Sequence, residues 1–138
     1  HRCSMVEIAL KNLSDKRLLV DKSEICGSAK NPNYSFDTIK RIRNNFPNSK
    51  LFLILGEDQF MNLRTWKNWK WIIENFPIGV LARPQSRLLG LNSKVAKIYK
   101  NYKLPAKEGR LLPYQHSPKW CFSNMPLMKV SSSEIRKK

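Results

Sequence analysis

The fold turns on the stretch LFLILGEDQF, residues 51–60. Its five apolar residues in a row, Leu51 to Leu55, show neither the polar alternation of a half-exposed strand nor the 3.6-residue period of a surface helix, and Gly56 stops them. Such a run predicts a strand covered on both faces, as in a parallel sheet. Glu57 and Asp58 then put two carboxylates where the next helix should begin. IGVLA, Ile78 to Ala82, repeats the pattern and is stopped by Arg83 and Pro84.

Between these two runs, DQFMNL and WKWIIENF predict short helices joined around Arg64 and Thr65. Upstream, Met5, Ile8, Ala9 and Leu13 fall at helical spacing and predict an amphipathic helix from about Arg2 to Leu13. RLLVD, residues 17–21, reads as a short strand, and SEICGSAKNPN, residues 23–33, as a loop punctuated by Gly27 and Pro32. Ser35 sits where an N-cap belongs, ahead of Phe36, Ile39, Ile42 and Phe46, and Pro47 ends that helix. Downstream, SKVAKIYKNY predicts a helix with Val95, Ile98 and Tyr102 inward. Pro105, Pro113, Pro118 and Pro126 then argue for short strands and loops before a last helix near Ser131. Strands alternating with helices in this way define an α/β domain with a mainly parallel, doubly wound sheet. Ligands in such sheets bind beyond the carboxyl ends of the strands, which marks Gly56 to Asp58 and Arg83 to Pro84.

The 138 residues, 1–138, fit one domain and not two. No apolar run approaches the roughly 20 residues that a membrane helix needs, so a soluble protein without a membrane partner is expected. Cys3, Cys26 and Cys121 are odd in number, scattered, and free of CxxC spacing, so they read as thiols in a reducing cytoplasm and not as metal ligands. No charged-then-apolar stretch is visible at the start of the chain, so no secretory signal is expected. The net charge of +16 favours anionic partners, but its lysines are spread along the whole length, and compositional drift explains them as well as a selected surface does.

Four short constellations have local chemistry. At the end of the first apolar run, Gly56 would let a ligand approach the backbone, and Asp58 could accept from ribose hydroxyls or simply cap a helix. RTWKNWKW, residues 64–71, holds Trp66 and Trp69 three apart, on one helix face, with Trp71 elsewhere. Their rings could stack on a nucleobase or pyridine, fill core, or with Lys67 and Lys70 bind a single nucleic-acid strand. NPNYSFDT, residues 31–38, offers Ser35 and the first-turn amides of a helix, a place for a carboxylate or phosphate, while Asp37 has no evident partner. VSSSEIR, residues 130–136, fits a capping box with Ser131 as cap and Glu134 at the third position. That leaves Ser132 and Arg136 on one face as a candidate phosphate cradle. His1 and His116 lack supporting carboxylates or cysteines, and no GxSxG, P-loop or zinc spacing occurs.

Taken in order, HRCSMVEIAL, NPNYSFDT, LFLILGEDQF, TWKNW, GVLARP and VSSSEIR resemble the bacterial nicotinate-nucleotide adenylyltransferases, members of the nucleotidyltransferase α/β phosphodiesterase superfamily. The resemblance runs from about His1 to Arg136, gaps included. It implies a Rossmann-like nucleotidyltransferase fold and transfer of the adenylyl group of ATP to nicotinate mononucleotide, giving deamido-NAD and pyrophosphate, with Mg2+. It further implies that Tyr34 and Ser35 hold the nicotinate carboxylate, Trp66 stacks on the pyridine, Gly56 and Asp58 meet a ribose, and Arg83 lines the site. Ser131, Ser132 and Arg136 would take the ATP phosphates. A homo-oligomer is compatible with this reading.

The chain departs from the family in one large respect. Members begin with a strand and a GGxFDPxHxGH loop whose histidines act on ATP, and neither occurs here. A chain starting at His1 is therefore expected to be an N-terminally incomplete domain, inactive by itself and exposing apolar edges. Two other readings stay open at this level: a basic nucleic-acid-binding module built on Trp66, Trp69 and Trp71, and a pseudoenzyme that binds nucleotide without turnover.

Overall fold

A computed structural model describes residues 2–13, 17–22, 34–82 and 90–124. In chain order it comprises α1 (Arg2–Leu13), α2 (Ser35–Asn45), β1 (Leu53–Gly56), α3 (Glu57–Met61), a 3-10 turn (Leu63–Thr65), α4 (Trp69–Asn75) and β2 (Ile78–Ala82). These are followed by α5 (Lys94–Ile98), a 3-10 turn (Lys100–Tyr102), β3 (Lys103–Leu104), a 3-10 helix (Ala106–Tyr114) and β4 (Trp120–Asn124). The four strands form one sheet in the order β1-β2-β4-β3, and all three pairings are parallel. Leu53 pairs with Ile78 and Gly56 with Leu81, so the carboxyl ends of β1 and β2 lie level. The predicted α/β class with a parallel sheet is the observed one.

Alternation along β4 assigns the two faces of the sheet. Trp120 and Phe122 point to one side, where they pack with Phe60, Leu63, Ile73, Val80, Val95 and Tyr99 beneath the helices. Phe60 stacks tilted on Trp120 with centroids 5.0 Å apart, and the Trp120 indole N–H donates to the Tyr99 carbonyl at 2.8 Å, so this buried ring has its polar handle satisfied. Cys121 points to the other side, against Leu104 and Leu112. A Cβ on Gly79 would lie 3.4 Å from the Leu112 Cδ2, in van der Waals contact with it. A third cluster, Ile39, Ile72 and Phe76, joins α2 and α4 beside β1, with Phe36, Trp66 and Trp71 half-buried around it. Each large side chain buried in this way contributes about 1.5–3 kcal/mol of transfer free energy, so the first cluster dominates the stability.

The structure corrects several expectations. RLLVD is not a strand: Arg17–Lys22 has no ladder, and Leu18 and Leu19 are exposed. Its apolar run is too short, at three residues, to bury a strand without a neighbour to pair with. β1 is not covered on both faces, because it is an edge strand among the described residues and Ile54 is 59% exposed. Ser35 is the first residue inside α2; Tyr34 is the cap, and its side chain makes no capping hydrogen bond. Instead, the Asp37 and Thr38 amides donate to the Tyr34 carbonyl.

α5 stops at Ile98, and Ile98 and Tyr102 are exposed while Tyr99 is buried. The change from α to 3-10 geometry shortens the period from 3.6 to 3 residues and moves the inward position from Ile98 to Tyr99. Pro113 lies inside a 3-10 helix and not in a loop. Helix α1 forms as predicted, but Met5 and Ile8 on its apolar face are exposed. The predicted loop 23–33 and the last helix near Ser131 lie outside the described residues.

Candidate functional site

Gly56 ends β1 and caps α3 with φ −66° and ψ 153°, a conformation open to any residue. A Cβ built on it would meet no atom of the described residues within 4 Å. Among the described residues, neither backbone geometry nor packing therefore requires glycine at this strand end, and none of them fills the space in front of its backbone. Asp58 stands exposed on the first turn of α3, one residue past the buried Glu57. Glu57, to which the sequence assigned no role beyond standing beside Asp58, is buried. Its side chain is 2% exposed and turns inward, where Oε1 accepts from the Gly90 N–H at 2.9 Å. The contact is so close that a Cβ on Gly90 would lie 2.6 Å from Oε1 and 2.8 Å from Phe122 Cζ. The signal in the sequence was Gly90 itself, a glycine in a helix-forming context with no turn to explain it.

Trp66 follows the Leu63–Thr65 turn in extended conformation, with φ −77° and ψ 144°. It does not share a helix face with Trp69, as the spacing predicted, because Asn68 between them takes the left-handed conformation, φ 53° and ψ 35°, and redirects the chain. Trp69 meets Tyr99 edge-on at 6.3 Å, and Trp71 meets Phe36 and Phe76 edge-on at 5.1 and 5.7 Å. Two of the three indoles are thereby engaged inside the protein, which removes the platform that a stacked nucleic-acid strand needs. Trp66 is half-buried, packed where the first and third clusters meet.

Tyr34, 44% exposed, and Ser35 open α2. The link between them and Trp66 is Lys67. Its Nζ donates to both carboxylate oxygens of Asp37, at 3.2 and 3.1 Å, and stands 4.9 Å from the centroid of the Tyr34 ring and 5.6 Å from that of Phe36. Asp37, which had no evident partner in the sequence, thus has one. Gly56 and Asp58 stand at the carboxyl end of β1, and Tyr34 and Ser35 open α2, whose Phe36 packs on the same cluster as Trp66. Arg83, which follows the last residue of β2, and Ser131, Ser132 and Arg136 lie outside the described residues, as does His1.

Other features carry less chemistry. An open depression of about 450 Å³ is lined by Met61, Asn62, Arg64, Thr65, Ser93 and Lys94, and no predicted residue borders it. Burial pushes the Cys121 thiol up, which keeps it neutral and unreactive. Burial and the Glu74 carboxylate, which accepts from the Tyr99 hydroxyl at 2.8 Å, push the Tyr99 phenol up to about 12. No group of three or more His, Cys, Asp or Glu side chains that could hold a metal ion occurs among the described residues, and none of their helices is long and apolar enough to cross a membrane.

Comparison with known proteins agrees with the motif reading. A probable nicotinate-nucleotide adenylyltransferase of Ruegeria sp. (strain TM1040) is 40% identical over 108 residues, 78% of this chain and 57% of the relative. One from Brucella abortus (strain 2308) is 32% identical over 104 residues, 75% of this chain and 54% of the relative. The chain thus spans about half the length of the curated relatives it matches. Among solved structures, Plasmodium falciparum nicotinic acid mononucleotide adenylyltransferase complexed with APC superposes with a TM-score of 0.59 at 21% identity. That match covers 99% of this chain and 60% of the other, a likeness of fold. The family described as Cytidylyltransferase-like matches residues 1–138, end to end, and the chain belongs to it.

Proposed function

We propose that the protein containing this chain transfers the adenylyl group of ATP to nicotinate mononucleotide, an enzyme of NAD synthesis working in the cytoplasm. The 5′-phosphate oxygen of nicotinate mononucleotide attacks the α-phosphorus of ATP, the bond from that phosphorus to the bridging oxygen breaks, and pyrophosphate leaves with the electron pair. Phosphoryl-type transfer of this kind is driven by positioning and charge neutralisation, so a site without a covalent nucleophile is in keeping with it.

In this reading the open backbone at Gly56 and the carboxylate of Asp58 hold a ribose, and Trp66 stacks on the pyridine. The start of α2, at Tyr34 and Ser35, receives the nicotinate carboxylate, and Arg83 lines the pocket. Ser131, Ser132 and Arg136 take the phosphates of ATP. Mg2+ carried on those phosphates would neutralise their charge; such an ion would be held mostly by phosphate and water, so it asks for no cage of protein carboxylates. Residues 1–138 are read as a single nucleotidyltransferase domain, and the named relatives support the reaction as a class.

The observation that carries this reading is Gly56. It is a glycine that neither fold nor packing among the described residues asks for, at the strand end where a parallel sheet binds ligands, beside an exposed carboxylate. Calorimetric titration of nicotinate mononucleotide into the full-length protein tests it. Trp66→Ala should weaken binding by about 1–3 kcal/mol, the size of one lost aromatic stack. Quenching of tryptophan fluorescence by an oligonucleotide, with none by nicotinate mononucleotide, would sink the proposal.

A further inference from the structure

We infer that Lys67 is a positioning residue that sets the pyridine end of the pocket by clamping the first turn of α2 against Trp66. The inference rests on the reading of Tyr34, Ser35 and Trp66 as the two sides of that pocket. Those sides lie more than thirty residues apart in sequence, and Lys67 is the residue that follows Trp66 directly. All of its described polar and ring contacts are to the opening turn of α2: both oxygens of Asp37 and the faces of Tyr34 and Phe36. Phe36 is itself fixed by the edge of Trp71 at 5.1 Å, so the ammonium rests on a ring that cannot turn away freely.

The contact is poorly suited to holding the fold together. The Lys67 and Asp37 side chains are 44% and 53% exposed, and exposed ion pairs add little to stability. The third cluster below them, Ile39, Ile72 and Phe76, joins α2 to α4 without help. What the ammonium does fix is orientation. A cation over two ring faces and against a carboxylate limits both the rotation of Tyr34 and the approach of the Trp66 segment to α2. A change of about 1 Å in such a spacing is enough to cost binding of a flat ring held from two sides.

The test compares Lys67→Ala and Lys67→Arg with the parent in the full-length protein. Lys67→Ala should raise KM for nicotinate mononucleotide about tenfold with kcat nearly unchanged, the pattern of lost uniform binding, and should leave KM for ATP alone. Lys67→Arg, which keeps a cation able to pair with Asp37 and lie on the rings, should restore most of the loss. Amide exchange in the first turn of α2 and at Trp66 should quicken in the alanine variant while the melting temperature stays within about 2 °C of the parent. An unchanged KM with unchanged exchange would overturn the inference. So would a general fall in melting temperature with both KM values raised and no rescue by arginine, since that is the mark of a structural role. A parent that does not turn over nicotinate mononucleotide would overturn the underlying reading and this inference together, whereas an active parent with an indifferent variant removes this inference only.

Discussion

At Gly56 a side chain would find no described residue within 4 Å, whereas at Gly90 it would find Glu57 Oε1 at 2.6 Å and Phe122 at 2.8 Å. Neither glycine has a positive φ, so the backbone requires glycine at neither place. The two are nonetheless tied together, because Glu57 follows Gly56 in sequence and ends on the Gly90 amide. Among the described residues, the carboxyl edge of the sheet therefore has a half closed by the protein's own atoms and a half left open. A glycine in the closed half serves the fold, and a glycine in the open half serves something that arrives from outside.

Gly90→Ala should have the largest effect. Overpacking against Glu57 and Phe122 should destabilise by about 1–3 kcal/mol, a fall of several degrees in melting temperature. Adding Glu57→Ala removes two of the three clashing atoms, so the double variant should lose less than the sum of the singles, a coupling that a thermal-melt cycle measures. Strict additivity would show that the closed half is not closed in the way described.

The same packed side also has a pH signature. The Tyr99 phenol is neutral in both states below pH 10, so its contribution to stability is full there. Because its folded pKa is raised to about 12 by burial and the Glu74 carboxylate, that contribution should be lost as pH rises from 10 to about 12. Tyr99→Phe should remove this dependence, and an unchanged alkaline profile would refute the burial of the phenol. Gly56→Ala should have the smallest effect on folding, a change within about 1 kcal/mol and in the stabilising direction, since alanine narrows the unfolded ensemble. Its affinity for nicotinate mononucleotide should nevertheless drop, and a variant that binds as the parent does would place the open half outside the site.

How far the sequence could be read follows from how local each feature is. β2 and the short helices α3 and α4 were legible, because apolar runs and helical spacing are properties of neighbouring residues. The uncovered face of β1 was not, because a run of five apolar residues reads the same at an edge as at the centre of a sheet. Ser35 looked like a cap from composition, yet Tyr34 holds that place through its carbonyl and not through a side chain. The direction of Glu57 depended on Gly90, thirty-three residues away, and the pairing of Asp37 depended on Lys67, thirty away, so no window of sequence contained either. Gly56, Asp58 and Trp66 could be proposed because motifs hold them at fixed spacing. The clamp that joins Trp66 to α2 could not.

The free edge of β1 has a practical meaning at the bench. Leu53 to Gly56 shows an unpaired row of backbone donors and acceptors among the described residues, next to Ile54 and the partly bare Phe52. Such a row accepts any strand that comes along, so residues 1–138 handled by themselves should self-associate more steeply as their concentration is raised. Light scattering over a dilution series would then register the sheet hunting for a neighbour.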